Sequence, residues 1–452
     1  MSTAPTKKLG GRTAIVGCGS RGQLFLRGVV DRIKNNPANK VVAFCDINKG
    51  RVGYYNRLLQ ELGQPPAAEY TFDAFTQMLT NEQVEVLVVT TVDATHDRYI
   101  IPALQRGIRV LTEKPMTTDI EKSKAILRAV RETGNRLTVT FNYRFNPVHE
   151  QVYKQLASGV IGKPISVHFE WLLDTVHGAD YFRRWHRLKD KSGGLMVHKS
   201  GHHFDLVNWW LQSTPKRVFG MGRLGFYGQS NGQKSGWAKD YDRAMGSKEA
   251  EGDPFALHID KDPVMKELYV DNEQWDGYQR DQNVFAPGIT IEDDMSVLVQ
   301  YKNGVTMTYH LTAYSPWEGY RVMFNGDKGR LELEVVETQF REIADAQTVG
   351  PGSIHGTQST PNAGGAKISI HPLWKKPYEI PMKVDHAGHG GGDRRLLNSI
   401  FGAADGDTLE EDSTSNMAAN EMDGAYALAV GLAANQSFGT GQQVDCEEML
   451  AI

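Results

Sequence analysis

RTAIVGCGSRGQLFLRGVVDRI, residues 12–33, decides how this chain folds. Its first six residues are a short apolar run of β-strand character, and they lead without a spacer into Gly17-Cys18-Gly19-Ser20-Arg21-Gly22. Helix-like sequence follows in QLFLRGVVDRI. A G-x-G-x-x-G pattern alone is weak, but between a strand and a helix it has a mechanical meaning. Glycine lets the chain turn tightly and lets the backbone approach a pyrophosphate, whose charge then sits at the positive end of the helix. Gly17, Gly19, Ser20, Arg21 and Gly22 are therefore expected to hold the phosphates of a dinucleotide.

Outward from that turn, KVVAFCD (40–46) is a second strand ending on Asp46, 24 residues beyond Gly22. A carboxylate there accepts hydrogen bonds from both adenosine ribose hydroxyls and repels a 2′-phosphate, so the expected cofactor is NAD rather than NADP. VEVLVVTT (84–91) and IRVLTEKP (108–115) read as further strands, and SKAILRAVRETG (123–134) as a closing helix. Ligands of open α/β sheets gather outside the carboxyl ends of the strands. Thr91, His96, Glu113 and Lys114 lie at or just beyond such ends and are expected to line the cofactor crevice, with Lys114 facing its nicotinamide end.

The second half changes character. ISVHFEWLL (165–173), KRVFGMGRLGFYG (216–228), SVLVQYKNGVTMTYHLTAY (296–314) and RVMFNGDKGRLELEVV (321–336) alternate in strand fashion. YKNG and NGDKG between them are turn signals, so an antiparallel meander is expected. Residues 229–288 are polar and rich in glycine and proline, yet carry Trp237, Tyr241, Trp275 and Tyr278. Those aromatics either stack on sugar rings or anchor the loop to the body, and both readings stay open here. Residues 345–370 read as a mobile loop. HAGHGGGDRRLLNSIF (386–401) and SNMAANEMDGAYALAVGLAANQSF (415–438) each carry a helix.

The order G-x-G-x-x-G, acidic strand end, Glu113-Lys114-Pro115, NYRFNP (142–147) and IGKPISVHFEW (161–171) resembles the Gfo/Idh/MocA oxidoreductase family. The resemblance covers nearly the whole chain. It implies a Rossmann NAD-binding domain over residues 1–140. It also implies a substrate-binding α/β domain over 141–452, built on a large, mostly antiparallel sheet with the two late helices packed back onto it. Tyr143, Arg144 and His389 are then expected at the substrate.

Hydride transfer from a carbinol requires the hydroxyl proton to leave as the hydride does, which suits a histidine base and a lysine cation beside the oxygen. The resemblance implies Lys114 for the cation. It places a motif similar to D-x-G-x-H-x-x-D on HKSGHHFD (198–205), with His202 at the catalytic histidine and Asp205 at the closing acid. Two departures stand out. His198 replaces the usual aspartate, with Ser200 for a glycine after it, and Val92-Asp93 replaces a proline–asparagine turn. His198 is expected to touch substrate or join a rearranged proton relay, and His203 to point into packing. His198 and His202 stand four apart and would share the face of a helix as metal ligands. The Ser-Gly between them suits a loop entering a helix instead, so no metal is expected.

The remaining bounds come from the whole chain. A length of 452 residues favours more than one domain, and a net charge of −4 offers no broad basic field for nucleic acid. Cys18, Cys45 and Cys446 are too few and scattered for a disulfide framework. No apolar run approaches the roughly 18 residues of a membrane span. The polar start MSTAPTKKLGG lacks a signal-peptide core, so a cytoplasmic location and no membrane partner are expected. The leading expectation is an NAD-dependent dehydrogenase acting on a ring hydroxyl of a sugar, glycoside or cyclic polyol, as a homo-oligomer. The alternatives are a glycosidase that recycles bound NAD and a non-catalytic sugar-responsive protein.

Overall fold

The computed structural model describes residues 9–343, 364–382, 390–407 and 417–451. Six strands of the first half are parallel neighbours: β1 (Arg12–Val16), β2 (Lys40–Cys45), β3 (Ala68–Tyr70), β4 (Val86–Val89), β5 (Arg109–Thr112) and β6 (Leu137–Val139). Their order β6-β5-β4-β1-β2-β3 reverses direction between β1 and β4. The crevice where a dinucleotide lies opens at that switch point. Helices cover both faces of such a sheet, so its strands are continuous apolar runs, and β4 is buried throughout. AEY (68–70), with no such run, is an edge strand that periodicity does not reveal.

The second sheet holds nine strands among the described residues. They are β7 (Pro164–Asp174), β8 (Pro215–Arg223), β9 (Asp294–Tyr301), β10 (Thr306–Ser315), β11 (Glu318–Gly326), β12 (Gly329–Thr338), β13 (Ala366–Pro372), β14 (Tyr378–Ile380) and β16 (Val444–Asp445). Their order is β14-β13-β12-β11-β7-β10-β9-β8-β16. Every neighbouring pair is antiparallel except β7 with β10, because the hairpins β9–β10 and β11–β12 flank β7 on either side. The meander is therefore interrupted once.

Two local readings are corrected. The strand expected over 216–228 stops at Arg223, since the Asp293 carboxylate accepts the amides of Gly225, Phe226 and Tyr227 and bends the chain into a loop. Residues 366–370 belong to β13, with Ile368 and Ile370 buried, rather than to a loop; 344–363 lie outside the described residues.

Five helices bear on the crevice and on the joint between the sheets: α1 (Gly22–Val30), α2 (Lys49–Glu61), α3 (Gly201–Leu211), α4 (Gly392–Phe401) and α5 (Glu421–Thr440). The resemblance implied that both late helices return to the second domain. Both do: α5 packs against α3 and β8, and α4 packs on the Asn142–Phe145 turn, where Arg395 donates to the Phe145 carbonyl at 2.8 Å and to Glu150 at 2.8 Å. The α4 helix also reaches the first domain, where Arg32 donates to Asn398 Oδ1 at 3.0 and 2.6 Å and Leu397 fills the space left by Gly28. A two-residue strand, β15 (Ala419–Asn420), pairs with β6 just before α5. The end of the chain thus ties the two sheets together.

Candidate active site

The glycine turn is built as a cradle. Gly17 has φ +91°, and a Cβ there would lie 2.5 Å from the Thr90 carbonyl carbon, so β1 and β4 approach closely only because that side chain is missing. Beyond it α1 begins at Gly22, presenting its amides. The Arg21 side chain is committed elsewhere, to Glu113 at 2.8 Å and Asp393 at 3.2 Å, so Arg21 and Glu113 brace each other under the turn. Asp46 accepts the Cys18 amide at 2.6 Å and the Asn48 amide at 2.8 Å, one on each oxygen. A carboxylate has about four acceptor positions, so room for two ribose hydroxyls is left. Burial pushes the Asp46 carboxyl up, and Arg51 opposes that. Cradle, helix start and acidic strand end together fit NAD.

His96 is not in the crevice, contrary to expectation. It is fully buried behind the β4 turn, with Nδ1 2.9 Å from the Pro115 carbonyl oxygen and Nε2 3.1 Å from that of Thr91. It therefore ties the Thr91 turn to the Lys114 turn.

The end of β5 delivers Lys114 beside His198. Lys114 Nζ donates to the His198 carbonyl at 3.0 Å and stands 3.4 Å from His198 Nε2. On the far side of the ring, His198 Nδ1 is 2.5 Å from Asp93 Oδ2. The two departures from the family pattern thus meet in space. The acid lost at residue 198 reappears at residue 93, paired with the histidine that replaced it. Burial lowers the Lys114 ammonium to about 8, with Asp93 and Glu113 opposing. Burial raises the Asp93 carboxyl, with Lys114 opposing. His198 is pushed down by burial and then by Lys114, so its ring is neutral, with Nδ1–H donating to Asp93 and Nε2 facing the ammonium. Sequence reasoning misses Asp93, although an acid gained and an acid lost are both visible in the chain.

His202 lies one step further along. A short helix, Leu195–His198, ends before α3 starts at Gly201, so His198 and His202 do not share a helical face. His202 stacks on Tyr143 with ring centres 4.3 Å apart and meets the edge of Phe141. Lys199, buried, donates to the Tyr143 hydroxyl at 3.3 Å and lies over the Trp171 ring. Burial lowers Lys199, opposed by Glu318 and Glu337. Glu318 in turn is raised by burial and Asp174 to about 8 and contacts His177 at 2.7 Å. These residues escape a reading of the sequence because they come from β7 and the helix after it, β11, β12 and the turn before α3, far apart along the chain. His203 is fully buried, stacked on Trp171 and bonded to the Tyr309 hydroxyl.

The expected place of Arg144 at the substrate is corrected through its pairing with Asp205. Arg144 is buried, with Nε and Nη2 paired to the two Asp205 oxygens at 2.8 and 2.6 Å and a further contact to Asp423 at 3.2 Å. A guanidinium so engaged joins the Asn142–Phe145 turn to α3 and α5 and does not face a substrate. His389 lies outside the described residues. Among the described residues no three His, Cys, Asp or Glu side chains are grouped to hold a metal, and no helix is long and apolar enough to cross a membrane.

Comparison with known families places this geometry. Residues 11–141 match the oxidoreductase family's NAD-binding Rossmann fold, and residues 153–446 match its C-terminal alpha/beta domain. The chain belongs to the Gfo/Idh/MocA oxidoreductase family. It is an oxidoreductase with an NAD-binding Rossmann domain. Among family members it is 31% identical to the putative oxidoreductase YteT of Bacillus subtilis, across 92% of this chain and 94% of that one. It is 28% identical to the scyllo-inositol 2-dehydrogenase (NAD(+)) of the same organism, across 47% and 57%. The fold is shared with an oxidoreductase domain protein from Kribbella flavida (TM-score 0.63, 16% identity, 97% and 100% covered). It is shared too with the WlbA dehydrogenase from Bordetella pertussis, solved with NADH and UDP-GlcNAcA (TM-score 0.60, 16% identity, 96% and 98% covered).

Proposed function

We propose that this oxidoreductase is a dehydrogenase that oxidises a ring hydroxyl of a sugar, glycoside or cyclic polyol. The observation that carries the reading is the buried Lys114–His198–Asp93 array at the end of β5, next to the strand ends that flank the dinucleotide crevice. Relatives named as inositol 2-dehydrogenases and D-apiose dehydrogenase support a polyhydroxylated ring or sugar as substrate. NAD, when bound, accepts the hydride. The residues do the rest. The Lys114 ammonium stabilises the oxygen as its charge develops. His202 takes the hydroxyl proton, its ring held edge and face by Phe141 and Tyr143. His198 and Asp93 hold Lys114 in place and keep it charged, and Tyr143 and His198 contact the substrate. Thr91 and the backbone from Gly17 to Gly22 hold the cofactor, and Asp46 its adenosine ribose. The division between domains is placed near residue 140.

The test is direct. Purified protein with NAD and a panel of cyclitols, aldoses and glycosides should give growing NADH absorbance with at least one of them, and silence across the panel rejects the proposal. Nothing in the fold or among the relatives favours the glycosidase reading. We also propose a homo-oligomer that meets through the open face of the second sheet, where Met221 and Leu298 are more than half exposed. Light scattering of the wild type and of Leu298→Lys should show an oligomer and its weakening.

A further inference from the structure

Part of the connection between β8 and β9 sits on the first domain. Asn48 donates to the Asn272 carbonyl at 2.9 Å, and Arg51 pairs with Asp276 at 2.8 Å. The Arg51 guanidinium also lies over the rings of Tyr269 and Tyr278. The approach is so close that a Cβ on Gly50 would fall 1.6 Å from Asn272 Oδ1. This docking delivers Tyr269 to the glycine turn, where its hydroxyl accepts the Ser20 amide at 2.9 Å and would lie 3.4 Å from a Cβ on Gly19. The aromatics of the segment therefore serve as anchors, with Trp275 over Lys49 as a further example.

Arg280 comes next. Its guanidinium is 4.8 Å from the centre of the Tyr269 ring, the side chain is over nine-tenths buried, and Nε has no hydrogen-bond partner among the described residues. Asp180 is the carboxylate that faces Arg280, and it also serves Arg184 at 2.7 Å and Arg183 at 3.9 Å. Asp180 thus answers three buried guanidinium groups, with Asp93 also acting on Arg184, so guanidinium groups outnumber carboxylates here. Buried cations are costly unless anions complete them, and a guanidinium with a spare N–H edge is shaped for phosphate oxygens.

We propose that Arg280 and Tyr269 form the outer half of the diphosphate site, closing it from the second domain opposite the glycine turn. The proposal rests on the dinucleotide reading of that turn. Arg280 supplies the charge that balances the diphosphate. The Tyr269 hydroxyl, which accepts from the Ser20 amide in this structure, gives that amide up to a phosphate oxygen and donates to the anion itself.

Binding to the full-length protein tests this without catalysis. ADP-ribose carries the diphosphate and adenosine does not; titration calorimetry measures the first and ligand-observed NMR the second. Arg280→Gln should weaken ADP-ribose by about tenfold or more and adenosine by less than about twofold, with Arg280→Lys between wild type and Gln. Tyr269→Phe should weaken ADP-ribose by about two- to fivefold with adenosine unchanged. Unchanged ADP-ribose affinity in Arg280→Gln overturns the proposal. So does an equal loss for adenosine, which would make Arg280 a structural residue. If the wild type binds no ADP-ribose at all, the dinucleotide reading of the glycine turn fails instead.

Discussion

Asp93→Asn removes one charge from the Lys114 array while keeping its shape. Asp93 reaches Lys114 across the His198 ring, through contacts of 2.5 and 3.4 Å. With the ring between them the two charges stand on the order of 7 Å apart, which at an effective dielectric near 20 is worth about 2 kcal/mol. That is roughly 1.5 pK units. Lys114, at about 8 with Asp93 present, should therefore titrate between about 6 and 7 without it. The sign comes from the role of the lysine. If the ammonium stabilises the developing alkoxide, kcat/KM falls as pH rises through the lysine pKa of the free enzyme. The wild type should hold its activity up to about 8. The variant should lose about tenfold or more at pH 8 but only a few-fold at pH 6. The assay is kcat/KM for sugar oxidation from pH 5.5 to 9.5, with melting temperature as a control on folding. Asp93→Asn combined with His198→Asp restores an acid at residue 198 and should move the alkaline limb back up. An alkaline limb that stays put in Asp93→Asn refutes the electrostatic coupling. Activity that climbs through pH 8 in both proteins would make neutral Lys114 the base and refute its role as a cation.

Three further outcomes are expected. Asp46→Ser should lower the NAD-to-NADP preference ratio by at least about tenfold, or about 1.4 kcal/mol, in paired titrations of the two cofactors; an unchanged ratio would place the adenosine ribose elsewhere. His202→Ala should cut turnover by roughly 10²–10⁴-fold with a normal melting temperature. His203→Ala, which opens a gap beside Trp171, should lower the melting temperature and spare turnover, so a reversed pattern would exchange their roles. Asp205→Ala leaves the Arg144 guanidinium without its two-point partner and should cost about 3–5 kcal/mol in denaturant unfolding; a loss of activity with full stability would return Arg144 to the substrate.

Much of the first domain is legible in the sequence because its determinants are local. The glycine turn, Asp46 and Lys114 each sit at a strand end that the sequence marks by an apolar run, and the structure puts these strand ends around one switch point. His96 and Arg144 mislead for one physical reason. A polar side chain near a crevice in sequence faces it only if no buried partner claims it first. Two backbone carbonyls claim His96 and Asp205 claims Arg144. Those partners lie between 5 and 61 residues away, and no periodicity in the chain announces them. The group of Lys199, His177 and Glu318 is hidden in the same way, since Glu318 at the start of β11 meets His177, in the helix that follows β7, across more than a hundred residues of chain.

Asp93 shows what a departure from a pattern is worth when it is read with its counterpart. Taken alone, His198 in place of an acid suggests a weakened site, and Asp93 in place of an amide suggests an unwanted buried charge. A buried carboxylate without a partner would cost several kcal/mol, so each change alone should be hard to tolerate. Together they leave the site one carboxylate, moved from residue 198 to residue 93, with an imidazole in the acid's old place and the amide gone. The carboxylate stands in the turn after β4, an imidazole fills its former place before α3, and a hydrogen bond of 2.5 Å joins them. Lys114 keeps a carboxylate within reach of its charge through the ring. Under the proposed function the lysine thus keeps a carboxylate partner, reached through a ring supplied by His198.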